Sequence, residues 1–271
     1  MTTTAPTGTR PTRSRRDPAR SGPTLAPALH YTVQSVRLTV RNVSFVLFTV
    51  ALPVVLYLLF SQLYGNGPEN RLASAMIMVS MAAYGSLGAA MSGGAQLAVE
   101  RRSGWFRQLM ITALPPRAFL WARAGVIMVL VLPALLLVFT AGAAIGGVRA
   151  SVTVWLASLG LMWLGLVPLT VLGIVIGLWV KSEAVQGVTT LSLLVLSLLG
   201  GLWFPADMFP AGMKVVAHLL PSYWLAELGR WPFLTGEAFP WTGVLVLVGW
   251  SAVLTVVGAL GYRRAVASSK R

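Results

Sequence analysis

Cysteine is absent from this 271-residue chain, histidine occurs twice, and only 7 residues are acidic. Without a thiol, neither a disulfide framework nor a thiolate metal site can form. His30 and His218 fall in segments expected on opposite sides of a membrane, and neither has a carboxylate cluster beside it, so the common metal-ligand sets are missing. Charged residues are scarce too, at 10% against 56% hydrophobic, where a soluble domain carries about 25% charged. No glycine-rich loop closed by Lys and Ser or Thr occurs, which excludes ATP binding by a Walker-type loop.

What the chain does have is six long apolar stretches: Phe45 to Leu63, Leu72 to Val99, Ala124 to Ile145, Val152 to Val180, Ala184 to Phe204 and Trp241 to Leu260. Each reaches the roughly 20 residues that a helix needs to cross a ~30 Å hydrocarbon layer. The net charge of +14 could suggest a nucleic-acid binder, but its distribution argues for a membrane. Of the 21 basic residues, all but Arg71, Arg149, Lys214 and Arg230 fall before the first stretch, after the last, or in the gaps after the second and fourth. By the positive-inside rule both termini are expected in the cytoplasm of a multi-pass protein of the cell membrane.

Residues 1–24, rich in Thr, Pro, Arg, Ser and Gly, have no apolar core and read as a disordered basic cytoplasmic tail. Asp17 and Pro18 follow Arg15 and Arg16 where a twin-arginine signal needs an apolar run. Next, Leu29, Val33, Val36, Val40 and Val43 recur at helical spacing opposite His30, Gln34, Arg37 and Arg41, which predicts an interfacial helix before the first span. Residues 25–271 are expected to form one transmembrane domain.

Pro53 and Pro133 are expected to kink the first and third spans. Gly85, Gly88, Gly93 and Gly94 in the second span suggest a close-packed seam between subunits, or else a moving gate. The segment from Pro205 to Pro240 is too apolar for an aqueous loop. Its Pro205, Pro210, Pro221 and Pro232 cut it into pieces shorter than a crossing, which predicts short helices at, or dipping into, the outer leaflet.

No acid or base lies inside any apolar stretch, which argues against proton coupling, since such carriers place ionisable groups within the bilayer. Ser86 and His218 superficially suggest an intramembrane serine protease, but Ser86 is one of many small packing residues and His218 belongs to the external segment. The informative stretch is Glu100 to Met110. Charged residues open it, Trp105 and Leu109 share a helical face, and Pro115 with Pro116 stop it. A short amphipathic helix there would serve either as a lever for a soluble motor or as an ordinary basic loop that fixes topology.

Three features resemble the permease subunit of ABC type-2 exporters, the family of drug-resistance, polysaccharide and lipid export permeases. They are the Glu100-Arg101-Arg102 to Leu114-Pro115 segment, the aromatic-proline element Gly201-Leu202-Trp203-Phe204-Pro205 with Met208-Phe209-Pro210, and Leu220-Pro221-Ser222-Tyr223-Trp224 with Glu227 and Arg230. The resemblance implies an all-α membrane protein of six transmembrane helices, with two permease subunits joined to two ATP-binding subunits. It places Glu100, Arg101, Arg102, Gly104, Trp105 and Arg107 at or near the ATPase contact. Trp203, Phe204, Pro205, Pro221, Tyr223, Trp224, Glu227 and Arg230 become candidates for an external gate or interface.

The chain itself is then expected to need no cofactor, with ATP and Mg on the partner ATPase, and to bind no nucleic acid. The Glu-Arg-Arg-Ser-Gly-Trp string looks closest to the antibiotic and multidrug export branch. The rivals are an ion-coupled secondary transporter and a non-transporting membrane scaffold or sensor component.

Overall fold

A computed structural model describes residues 47–64, 71–102 and 116–269, and among these all regular secondary structure is helical. The nine α-helices are α1 Leu52–Tyr64, α2 Arg71–Arg102, α3 Pro116–Ala144, α4 Val152–Gly165, α5 Val167–Trp179, α6 Val185–Leu199, α7 Ala211–Leu219, α8 Pro221–Arg230 and α9 Trp241–Ser269. Residues 1–46 and 103–115 lie outside the described residues, and with them the expected tail, the interfacial helix and most of the coupling segment, including Gly104, Trp105 and Arg107.

Among the described residues, four segments are long and apolar enough to cross a bilayer: Arg71–Arg102, Trp121–Ala144, Val152–Trp179 and Trp241–Arg264. They match the expected second, third, fourth and sixth spans. Among the described residues the α-helical parts of the expected first and fifth are shorter, α1 following directly on a π-helical turn at Leu47–Ala51. At 1.5 Å per residue the 13 residues of α1 and the 15 of α6 reach only about 20 and 22 Å.

The end of α6 has a local cause. Gly201 takes φ +71°, the Leu202 N–H donates to the Ser197 carbonyl at 3.0 Å and the Gly201 N–H to the Leu198 carbonyl at 3.3 Å. That is a Schellman stop, and it turns the apolar residues Leu202 to Phe204 out of the helix they were expected to extend.

Proline shapes three other helices. A π turn over Leu47–Ala51 precedes α1, and Pro53, the second residue of α1, cannot donate to the Thr49 carbonyl. The fourth span carries a one-residue interruption at Leu166, where Pro168 follows, so α4 passes into α5 through a residue that keeps helical backbone angles. Pro133, in contrast, lies within α3, which continues unbroken through it.

The second span is the axis of the bundle. From Ser74 to Ala98 it is buried nearly all round by α1, α3, α5, α6 and α8. Its glycines are occupied within this chain, which corrects the expectation of a seam between subunits. A Cβ on Gly85 would stand 2.8 Å from Pro53 Cγ, one on Gly93 3.1 Å from Ile127, and one on Gly94 2.0 Å from the Gly173 carbonyl carbon. Gly173 and Gly177 of α5 return the approach, facing the Ala90 and Gly94 carbonyls. Backbones meet this closely only where side chains are missing.

The external face of α9 is its opposite. Trp241, Leu245, Val248, Val253, Val256 and Leu260 are exposed along it, a surface suited to lipid.

Candidate functional site

The last turn of α2 carries Glu100, Arg101 and Arg102, and each reaches a different element. Glu100 Oε1 pairs with Arg123 Nη1 at 3.0 Å, with the two side chains 27% and 9% exposed. Arg123 also donates from Nη2 to the Gly93 carbonyl at 3.1 Å, so the eighth residue of α3 is fixed to two successive turns of α2. Arg101 donates to the Gly177 carbonyl at 3.2 Å and to the Leu178 carbonyl, capping the C-terminus of α5 where a cation meets the negative end of the helix. Arg102 pairs at 2.9 Å with Glu183, just before α6, with both side chains in water. The Glu183 carboxyl is held below the usual carboxylate range, chiefly by its own backbone N–H and the Ser182 hydroxyl, with Arg102 adding a smaller contribution.

Nearby, Arg264 of α9 lies 5.5 Å over the Trp179 ring, whose Nε1 donates to the Val257 carbonyl. The described basic residues of the alternate gaps therefore gather at one end of the bundle, as the charge pattern predicts. Arg123 was counted there only as a basic loop residue. Pro116 is the first residue of α3, a favoured place for proline, and that places Arg123 inside a helix.

At the other end the prolines delimit pieces as expected. Pro205 precedes a 3-10 turn at Ala206–Met208, Pro210 caps α7, Pro221 opens α8 and Pro232 lies in the 3-10 turn Trp231–Phe233. Helix α8 is the piece that docks. Ser158 of α4 donates to the Gly229 carbonyl at 2.7 Å, Ser222 donates to the Leu196 carbonyl at 2.6 Å, and Gly229 fits against Met162 and Val79.

Arg230 Nη1 pairs with Glu227 at 2.6 Å, while Nη2 donates to Ser80 Oγ at 2.7 Å and to the Gly201 carbonyl at 3.4 Å. Ser80 is nine residues past Arg71, about 13 Å along α2, so the hairpin dips beside the bundle. This brings a mutually neutralising ion pair down along the bundle, although every apolar stretch is free of charge.

Trp203 meets Tyr84 edge-on at 5.5 Å, and both Trp203 and Phe204 are exposed. Tyr223 and Trp224 form a cluster with His218: its Nε2 and the Tyr223 hydroxyl are 3.2 Å apart, and Trp224 Nε1 donates to the His218 carbonyl at 2.7 Å. Burial, with the Glu227 charge second, pushes the Tyr223 phenol up to about 12. The structure thus brings Pro221, Tyr223, Trp224, Glu227 and Arg230 together on α8 and joins them to Gly201 beside Trp203. Ser80, Ser158 and Tyr84, which sequence reasoning missed, complete the site. Serines in apolar helices carry no signal of the partner they will meet.

Among the described residues, no group of three or more potential metal ligands occurs. Ser86 is buried and donates to the Ala83 carbonyl of its own helix. Among the described residues, the side chains gathered at the two ends of the bundle join helices to one another.

The "Putative transport permease YvfS" of Bacillus subtilis (strain 168) is 28% identical to this chain over 220 residues, covering 80% of this chain and 89% of that protein. The family model described as ABC-2 type transporter matches residues 29–234. That match takes in α1 to α8, both junctions and the segment between α2 and α3, and the chain belongs to the ABC-2 type transporter family.

Proposed function

We propose that this chain is the membrane-spanning subunit of an ATP-driven exporter, working as a pair of permease subunits with two separate ATP-binding subunits that hold the ATP and Mg. The observation that carries this reading is the family match over residues 29–234, since ABC-2 permeases work with an ATP-binding subunit. The absence of a Walker loop in the chain fits that division of labour.

In this reading the chain crosses the cytoplasmic membrane six times with both termini inside. Glu100, Arg101, Arg102, Gly104, Trp105 and Arg107 belong to the region that meets the ATPase, and the α6–α8 hairpin forms the outer gate. The path for cargo lies between subunits, lined by parts of the first, second and fifth spans, whose apolar walls favour an amphipathic drug-like or lipid-like molecule. To drive such a bundle from 1:99 to 99:1, the partner must favour one state by about 5.5 kcal/mol.

The test is co-purification with the ATP-binding subunit and reconstitution in vesicles. Uptake of a fluorescent amphipathic dye driven by ATP supports the proposal. Uptake by the permease alone under a proton or sodium gradient overturns it in favour of a secondary transporter, and ATPase binding without any ATP-dependent movement favours a scaffold. Trp203→Ala or Trp224→Ala is expected to impair export while the ATPase stays bound.

A further inference from the structure

We propose that Arg123 is a positioning residue of the transport cycle. With Glu100, Arg101 and Arg102 it makes the last turn of α2 a junction that moves α3, α5 and α6 together. The inference rests on the exporter reading above but goes beyond it, because it assigns work to contacts inside the permease rather than to the surface that meets the ATPase.

Three consecutive residues with three separate targets are the basis. A helix end that only fixed topology would leave its charges in water, and Arg102 alone does so, with its side chain 70% exposed. Arg123 is instead 9% exposed and bonded both to Glu100 and to the Gly93 carbonyl, which fixes the angle between α2 and α3 at two points. Arg101 spends its guanidinium on the last carbonyls of α5, directly below the glycine contact where α2 and α5 touch backbone to backbone.

A force on the end of α2 therefore reaches α3 through a buried ion pair, α5 through a helix cap and α6 through a surface ion pair. Arg123 Nε is buried and has no hydrogen-bond partner.

The absence of cysteine makes the test direct. Spin labels are placed on single cysteines at exposed Leu191 of α6 or Val129 of α3, each paired with one at exposed Val253 of α9. Distances are measured by pulsed electron paramagnetic resonance in the full permease–ATPase complex, before and after trapping with ATP and vanadate.

The unmodified junction is expected to show a shift at both sites. Arg123→Gln should abolish the shift at Val129 while the ATPase still co-purifies and hydrolyses ATP, and Arg123→Lys, which keeps a cation beside Glu100 and the Gly93 carbonyl, should retain it. An ion pair that only stabilised the fold would leave the shift unchanged in every variant that inserts and hydrolyses ATP.

Should the buried variants fail to insert, Glu183→Ala still decides the matter, because the exposed Arg102–Glu183 pair is dispensable for folding: it should abolish the shift at Leu191 and spare that at Val129. Unchanged shifts in these variants, or no shift at either site in a complex that hydrolyses ATP, overturn the junction. Failure of the parent chain to capture an ATPase at all is a different result and overturns the exporter reading.

Discussion

Gly94 of α2 and Gly173 of α5 meet backbone to backbone, so that a Cβ on Gly94 would stand 2.0 Å from the Gly173 carbonyl carbon. The flexible end of a side chain can retreat, but a carbonyl in a regular helix cannot. Gly94→Ala and Gly173→Ala are expected to lose about 1–3 kcal/mol or more, as overpacked cores do. Gly160→Ala, where nothing lies within 4 Å, should be neutral or gain up to about 1 kcal/mol through helix propensity. Thermal unfolding in detergent compares the three, and equal melting would show that α2 and α5 do not touch there.

The two ion pairs at the junction are predicted to differ sharply. Arg123→Ala strands a partly buried Glu100 and should destabilise by about 3–5 kcal/mol, the usual result of removing one member of a buried pair. Arg102→Ala breaks an exposed pair and should change stability by less than about 1 kcal/mol. High salt should mask the second effect and leave the first. Denaturant unfolding of both variants at low and high salt is the check.

Ser158→Val removes the donor that satisfies the Gly229 carbonyl. A buried acceptor left without a partner costs about 1–3 kcal/mol. The expected outcome is faster hydrogen exchange along Pro221–Arg230, with α2 unchanged. Uniform acceleration over the whole chain would mean that α8 does not open as a separate unit.

Tyr223 gives a pH prediction with a definite sign. Its phenol is raised from 10.0 to about 12 in the folded chain, so the unfolded chain releases this proton first as the solution becomes alkaline. The contribution is fully present below pH 10 and is lost as pH rises through about 12. Melting temperature should fall across that window, and Tyr223→Phe should flatten this part of the curve. An equally steep fall in the variant would assign the effect to other groups.

Much of the architecture was legible in the sequence. Pro205, Pro210, Pro221 and Pro232 mark the boundaries of short helices because a ring without an N–H cannot sit in a helix interior without cost. The grouping of Arg101, Arg102, Lys181 and Arg264 at one end follows from where charges are tolerated.

Other features were written in the chain but read differently. A single turn residue at Leu166, ahead of Pro168, interrupts the helical pattern of the fourth span, and Gly200-Gly201 stops α6 before its apolar run is over, although hydropathy alone continues through both. The contacts of Arg123, Ser80 and Ser158 depend on which helices become neighbours. That is a non-local outcome, and no spacing of residues along one helix encodes it.

The enclosure of α2 has a consequence for biogenesis. The helix is rich in alanine, glycine and serine and has the lowest mean hydropathy of the four full-length crossings, yet it is synthesised before α3, α5 and α8, which cover it. Between leaving the ribosome and meeting those later neighbours, its bare backbone ridge must be sheltered by lipid, by an insertase or by α1 alone. The most vulnerable moment in the life of this permease is therefore its own synthesis.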